Sequence, residues 1–156
     1  MNEANIRPAT QNDHEAVVAC THTAFSKWVP IIGMKPMALT ADYAAYIARG
    51  VVYVVDGEAA LDGVLILWPE DGAMYIDTVA VNPARQGSGL GRQLMNFAEQ
   101  QAQAAGLKYM TLLTNEKMVD NQLYYKHLGY QETRREELAP GRRAVWMHKT
   151  LTEQNG

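Results

Sequence analysis

The sequence predicts an α/β protein, a mixed sheet with the element order βααβββαβαββ, and three observations carry that reading. First, the hydrophobic period changes within one stretch. Met74, Ile76, Val79 and Val81 mark a strand, Asn82-Pro83 stops it, and Leu90, Leu94, Phe97, Ala98, Gln101, Ala102 and Ala105 then recur at helical spacing with only Gln101 polar. Second, an apolar run from Tyr109 to Thr114 follows Gly106, the residue that ends this helix, so a strand–helix–strand unit predicts a parallel pair. Third, turn signals at Asp56-Gly57, Pro69–Gly72 and Pro140-Gly141 separate further strand-like runs, as antiparallel connections do.

A length of 156 residues suits one domain spanning the whole chain with one good core. Hydrophobic residues at 47% and charged residues at 20% are ordinary for a globular protein. A net charge of −3 offers no basic surface for nucleic acid or an acidic membrane, so neither is expected as a partner. The opening Met-Asn-Glu-Ala-Asn lacks the basic and apolar regions of a secretory leader, and no apolar stretch is long enough to span a bilayer. The single cysteine, Cys20, excludes an internal disulfide and a cysteine metal cluster. The expected compartment is a reducing cytoplasm. Four histidines in no ligand spacing predict no metal site.

Taken in order, Asn5 to Arg7 reads as a short strand ending at Pro8. Asn12 or Asp13 can cap a helix from His14 to Phe25, with Ala16, Val17, Cys20 and Ala24 on one face. Cys20 there is a small buried hydrophobe. Ser26 to Met37 reads as irregular, and its Trp28 and Met34 either line a pocket or cap the core beneath a loop. Thr40 is the expected cap of a second helix, Ala41 to Arg49, closed by Gly50. Val51 to Val55 is a strand, Asp56-Gly57 a hairpin signal, and Ala59 to Trp68 the next strand. Pro69–Gly72 is a polar turn before the Met74–Val81 strand. Asp120 to Leu128 is a helix closed by Gly129, and Tyr130–Glu137 with Arg143–Lys149 form a final hairpin. The tail from Thr152 to Gly156 reads as frayed.

The turn between the Met74–Val81 strand and its helix is Gln86-Gly87-Ser88-Gly89-Leu90-Gly91-Arg92. Glycines free of a Cβ let successive N–H groups point at one anion, and the helix start adds unsatisfied donors, so the turn is a seat for phosphate. A nucleotide-triphosphate loop needs Lys-Ser/Thr after the last glycine, where this chain has Arg92-Gln93. A dinucleotide fingerprint needs a third glycine where Arg92 stands, and it usually opens its domain. The remaining pattern, Gln/Arg-x-x-Gly-x-Gly/Ala, is matched by Gln86, Gly89 and Gly91.

That pattern resembles the coenzyme A pyrophosphate loop of the GCN5-related N-acetyltransferase (GNAT) family. Asn121-Gln122-Leu123-Tyr124-Tyr125-Lys126-His127-Leu128-Gly129-Tyr130 resembles the same family's later signature, a short helix ending in Leu-Tyr-x-x-Leu-Gly-Phe/Tyr. Order and spacing both fit, over roughly residues 50 to 150. The resemblance implies the acyl-CoA N-acyltransferase fold, acetyl-CoA as co-substrate, and transfer of an acetyl group to a primary amine by direct attack in a ternary complex. It implies that the strand before the loop splays from the strand after the long helix, and that pantetheine pairs with free backbone of Val79, Ala80 and Val81. An N–H there would also face the thioester oxygen as it becomes negative. The pyrophosphate would sit on the amides of Gly87, Ser88, Gly89, Leu90, Gly91 and Arg92. Arg85, Arg92 and Lys126 are candidates for the nucleotide's outer phosphate, though each also reads as solvated surface charge.

The family's general acid maps to Tyr125, and a phenol of pKa about 10 suits a thiolate leaving group. Tyr124 points about 100° away round the helix and, at i, i+4 to Leu128, reads as core packing. Asn121 shares the face of Tyr125 and suits contact with the cofactor. The family's asparagine seven places before the tyrosine is Met118 here, with Asn115 and Asn121 to either side as substitutes. For the base that takes the amine's proton, Asp77 is best placed, with Glu70, Asp71, His22 and His127 as alternatives. Glu70, Asp71 and Asp77 with Trp28, Tyr43, Trp68 and Tyr75 would suit a small amine with an apolar body; a peptide amine suits equally. The exposed edges of the last hairpin leave room for a homodimer. The competing class is a non-catalytic acyl-CoA-binding module on the same fold.

Overall fold

Alternation along the strands sorts the side chains onto two faces, and each face is covered by its own helices. The computed structural model describes residues 3–152. Its strands are β1 (Ile6–Pro8), β2 (Val52–Val55), β3 (Gly63–Glu70), β4 (Ala73–Val81), β5 (Tyr109–Asn115), β6 (Gln131–Ala139) and β7 (Arg142–Thr150), and its helices are α1 (His14–Phe25), α2 (Val29–Ile32), α3 (Tyr43–Ala48), α4 (Leu90–Ala104) and α5 (Val119–His127). The strands form one sheet in the order β1-β2-β3-β4-β5-β7-β6, and only β4–β5 is parallel. The expected α/β fold and parallel pair are therefore present. Residues 153–156 of the expected frayed tail lie outside the described residues.

On one face, Leu65, Leu67, Met74, Ile76, Met110, Leu112, Val145 and Met147 pack beneath α4 through Leu90, Leu94, Met95, Ala98 and Ala102. On the other, Val52, Val54, Val64, Ile66 and Ala80 lie beneath α1 and α3 through Val17, Cys20, Ala24, Tyr43 and Ile47. A small third cluster of Trp28, Ile32 and Met118 joins the segment after α1 to the start of α5.

Two features of β4 make the site. The register against β3 pairs Ile66 with Thr78 and Leu67 with Ile76, so Asp77 is the extra residue of a β-bulge. The bulge switches parity: Met74 and Ile76 face α4 before it, and Val79 and Val81 after it. Beyond the same point β4 and β5 part. Only Met74, Tyr75 and Ile76 pair with Met110, Thr111 and Leu112, and the two strands then diverge into an open fork.

Three local expectations are corrected. Val29–Ile32 is a helical turn where the sequence reads as irregular. Pro30 lies in its first turn, and Gly33, at φ 75°, closes it with its N–H on the Val29 carbonyl at 2.9 Å. The residue capping α3 is Asp42, whose carboxylate accepts the Ala45 N–H at 3.1 Å, while the Thr40 hydroxyl donates back to Met37. The two-residue hairpin turn is Asp71-Gly72, with φ of 52° and 82°, and it joins β3 to β4. Asp56-Gly57 instead opens a longer connection, closed by the Asp62 N–H on the Val55 carbonyl at 2.8 Å.

Candidate active site

The glycine turn is built as a set of outward amides. Gly87 and Gly89 take φ of 81° and 87°, and Gly89 is the N-cap of α4. The Ser88 hydroxyl turns inward to the Arg85 carbonyl, and the amides of Gln86 and Ser88 bond back within the turn. The amides of Gly87, Gly89, Gly91 and Arg92 have no protein acceptor among the described residues. A Cβ on Gly91 would lie 3.4 Å from the Tyr124 hydroxyl and 3.7 Å from Val81 Cγ2, so the helix start is approached closely from both sides. This is a cradle that a side chain would fill, as an anion seat at a helix N-terminus requires.

Two cavities meet at the fork. One, of about 480 Å³, runs from Val79 and Val81 over Gln86, Gly87, Gly89, Leu90, Gly91 and Arg92, with Tyr124 on its far wall. The other, of about 380 Å³, lies between the parted strands, bounded by Ile76–Val79 and Leu112–Asn115 and roofed by the segment from Ile32 to Ala41. Phe25, Val79, Asn121 and Tyr125 border both. Helix α5 places Asn121 and Tyr125 there because i and i+4 share a face. Tyr125 is half-buried, with its ring 5.6 Å from that of Tyr124 and 5.9 Å from that of Tyr130. Burial pushes its phenol up to about 12, with the neighbouring Tyr124 adding to it, so the hydroxyl carries its proton at neutral pH.

Asp77 lines the second cavity from the bulge. Burial raises its carboxyl above the ordinary 3.8, opposed by the Thr78 hydroxyl, which donates to it at 2.9 Å, and by the guanidinium of Arg49. Tyr46 and Tyr75 stand in the same wall and belong to an aromatic tract, Tyr46–Trp68–Tyr75–Trp146, with centroids 5.5, 5.3 and 6.1 Å apart. Arg49 lies 4.6 Å over Trp68 and closes one end of the tract.

The sequence-predicted residues divide accordingly. Val79, Val81, Gln86, Gly87, Gly89, Leu90, Gly91, Arg92 and Asn121 border the longer cavity, together with Tyr125. The Ala80 side chain is buried beneath α1 and α3, leaving only backbone to face the fork, and Ser88 serves the turn itself. Asn115 borders the shorter cavity, but its Oδ1 is committed to the Lys117 N–H at 2.9 Å. Met118 forms part of the floor. Tyr124 is not core packing: it is 40% exposed and stands over the glycine turn. Trp28 borders the longer cavity, while Met34 reaches Gly141 of the final hairpin. Glu70 and Asp71 sit at the far hairpin end, and neither they, His22, His127 nor Lys126 borders either cavity. Arg85 does, but its guanidinium is 3.5 Å from Asp62. Sequence reasoning missed Phe25 and Tyr46; each ends a helical face whose other members are core, and only packing turns them to the fork. Among the described residues no three His, Cys, Asp or Glu side chains converge as a metal site would need.

Comparison with known proteins agrees with this geometry. The family model of the acetyltransferase (GNAT) domain matches residues 48–132. The mouse N-alpha-acetyltransferase 80 is 35% identical over 82 residues, which are 53% of this chain and 24% of that protein, so the chain spans about a quarter of its length. Among solved structures, the PaiA N-acetyltransferase from Thermoplasma acidophilum in complex with coenzyme A superposes with a TM-score of 0.74 at 16% identity, covering 96% of this chain and 99% of that one. The ribosomal-protein-S18-alanine N-acetyltransferase from Escherichia coli gives 0.74 at 16% identity, covering 97% and 96%. At such identities these two likenesses speak for the fold. The family match covers more than half of the sequence, including the fork, the glycine turn and α5, and on that ground the chain belongs to the GNAT acetyltransferase family.

Proposed function

We propose that the chain is an acetyl-CoA-dependent N-acetyltransferase that acts on a primary amine by direct attack in a ternary complex. The observation that supports this most is the meeting of the two cavities at the fork, with Tyr125 and Asn121 on their shared border. The residues present fit coenzyme A: among the described residues four amides at the glycine turn have no protein acceptor, and beyond Ile76 no strand pairs with the β5 side of β4. Bound there, the cofactor supplies the acetyl thioester.

The chain's own groups do the rest. The Gly87, Gly89, Gly91 and Arg92 amides hold the anion without side-chain entropy. The free backbone of Val79–Val81 orients the extended arm, and one of its N–H groups faces the oxygen that gains charge. The Asn121 amide is free to bond that arm. Asp77, with its raised pKa, takes a proton from the incoming ammonium and leaves a neutral amine to attack. The Tyr125 hydroxyl gives its proton to the sulfur as the carbon–sulfur bond breaks, and the proton shed by the attacking nitrogen as the amide forms restores the phenol.

The test is calorimetric titration with acetyl-CoA, followed in the same sample by thiol release against amines and peptides. Binding with thiol release for one acceptor class is the expected result. Binding with no release from any acceptor would favour a non-catalytic acyl-CoA-binding module, and absence of binding would remove the loop assignment.

A further inference from the structure

The cavity between β4 and β5 is polarised. Three charged side chains line it: Asp77 at the bulge, and Arg142 and Arg143 at the start of β7. Ile32, Pro36, Met37, Leu138 and Ala144 give the cavity apolar surface, while Thr114 and Asn115 of β5 stand between Asp77 and the arginines. Strand register sets their separation. Leu113, next on β5 after the partner of Ile76, pairs with Trp146, and Arg143 lies three residues further along β7 toward the hairpin tip. That is roughly 10 Å along the strand, with about another 10 Å across two strand spacings, from which the long arginine side chains recover part. The opposite charges therefore stand several bonds apart, too far for groups on one carbon.

Both arginines are held in place with donors to spare. Arg142 Nη2 donates to the Lys35 carbonyl at 2.7 Å, which also ties the roof to the hairpin. Arg143 Nε lies 3.2 Å from Glu116 Oε2. Arg142 Nη1 and both Nη atoms of Arg143 have no hydrogen-bond acceptor among the described residues. Arg143 is exposed, so its free donors meet water until an acceptor carboxylate engages them in forked geometry.

Resting on the reading of this cavity as the acceptor site, we propose that the acceptor is a primary amine joined through a short apolar spacer to a carboxylate, with the amine at Asp77 and the carboxylate at Arg142 and Arg143. Guanidinium recognises carboxylate in forked geometry.

The experiment measures thiol release with acetyl-CoA and a matched set of acceptors: 5-aminopentanoate, 5-aminopentanamide and pentylamine. The expected result is kcat/KM for the carboxylate about tenfold or more above that for the amide, mainly through KM, with the ratio shrinking in high salt. In Arg142→Gln/Arg143→Gln that ratio should fall to about one, and Arg142→Lys/Arg143→Lys should restore part of it. Equal kcat/KM for the carboxylate and amide in the unaltered protein, or a preference that survives the double glutamine variant, would overturn this inference and leave the acetyltransferase reading intact. Loss of acetyl-CoA binding and of thiol release with all three would instead overturn the reading on which it rests.

Discussion

Tyr125 and Asp77 face the same fork, where the proposed mechanism gives them opposite proton tasks, and burial drives both phenol and carboxyl upward. For Tyr125 this would keep the proposed acid loaded: with a pKa pushed up to about 12, no alkaline fall in rate is expected below about pH 11, as a pH–rate profile would show. Tyr125→Phe removes the hydroxyl and little volume. Turnover should drop by about 100-fold while acetyl-CoA affinity, measured by calorimetry, stays within about twofold. Undiminished turnover would pass the acid role to Tyr124 or to water. For Asp77 the same burial has a cost in stability. A carboxyl whose folded pKa lies above its unfolded value favours folding most where it is protonated, and that contribution is lost as pH rises through the folded value. Asp77→Asn should therefore raise the melting temperature at pH 7. The gain should shrink as pH falls toward the ordinary 3.8, while thiol release collapses at every pH. A variant no more stable at pH 7 than the parent would contradict the sign of this shift. The tyrosine was legible in the sequence from its place before Gly129. The proposed base was only one of several acids and histidines, because the turn signal at Pro69–Gly72 does not say how far Glu70 and Asp71 end from the fork.

At the scale of elements, the start of α4 and the cap of α3 make separable predictions. Gly91 has no left-handed backbone, so a larger residue fits the helix but enters the phosphate seat beside Tyr124 and Val81. Gly91→Leu should hold or raise the melting temperature, since glycine costs a helix about 1 kcal/mol, yet weaken acetyl-CoA binding by at least about 30-fold. Unchanged affinity would place the pyrophosphate elsewhere. For α3, Asp42→Ala should cost about 1 kcal/mol in chemical denaturation, and Thr40→Ala no more than a few tenths, because only Asp42 accepts an amide of the first turn. Here the sequence reads Thr40 as the cap, and the backbone direction on leaving the Met37–Leu39 turn gives that role to Asp42 instead. The two Asp-Gly pairs tell a similar story. Each signals a tight turn by composition, but only at Asp71-Gly72 do the flanking strands pair directly across the two residues, Glu70 with Ala73, whereas Val55 pairs with Gly63 across a longer loop. The apolar residues of β4 run 74, 76, then 79, 81, which reads as one strand, and only the register against β3 places a slip of one at Asp77.

Across the whole molecule, the sheet and its two helical layers form the firm part, and the roof from Val29 to Leu39 the weaker one. That roof rests on the small Trp28–Ile32–Met118 cluster, on Arg142 bonded to the Lys35 carbonyl, and on Lys117 bonded to the Ile32 carbonyl at 3.4 Å. Hydrogen exchange should be faster there than in β3 and β4, and should slow when acetyl-CoA and an acceptor are both present. Equal protection of roof and sheet in the free protein would mean that the cavity is closed without ligand. The β6 edge carries Glu132, Arg134, Arg135, Glu136 and Glu137 on exposed backbone, a pattern that opposes strand pairing between copies along that edge. The sequence by itself determined the seven strands, the long helix, the glycine turn and the place of the tyrosine, because each rests on a local period, a glycine conformation or a short spacing. Only the tertiary structure decided which carboxylate reaches the fork, that Tyr124 stands over the turn, and that Asp77 and two arginines share one cavity. Those facts depend on strand register and on the packing of segments far apart in the chain, which no local pattern encodes.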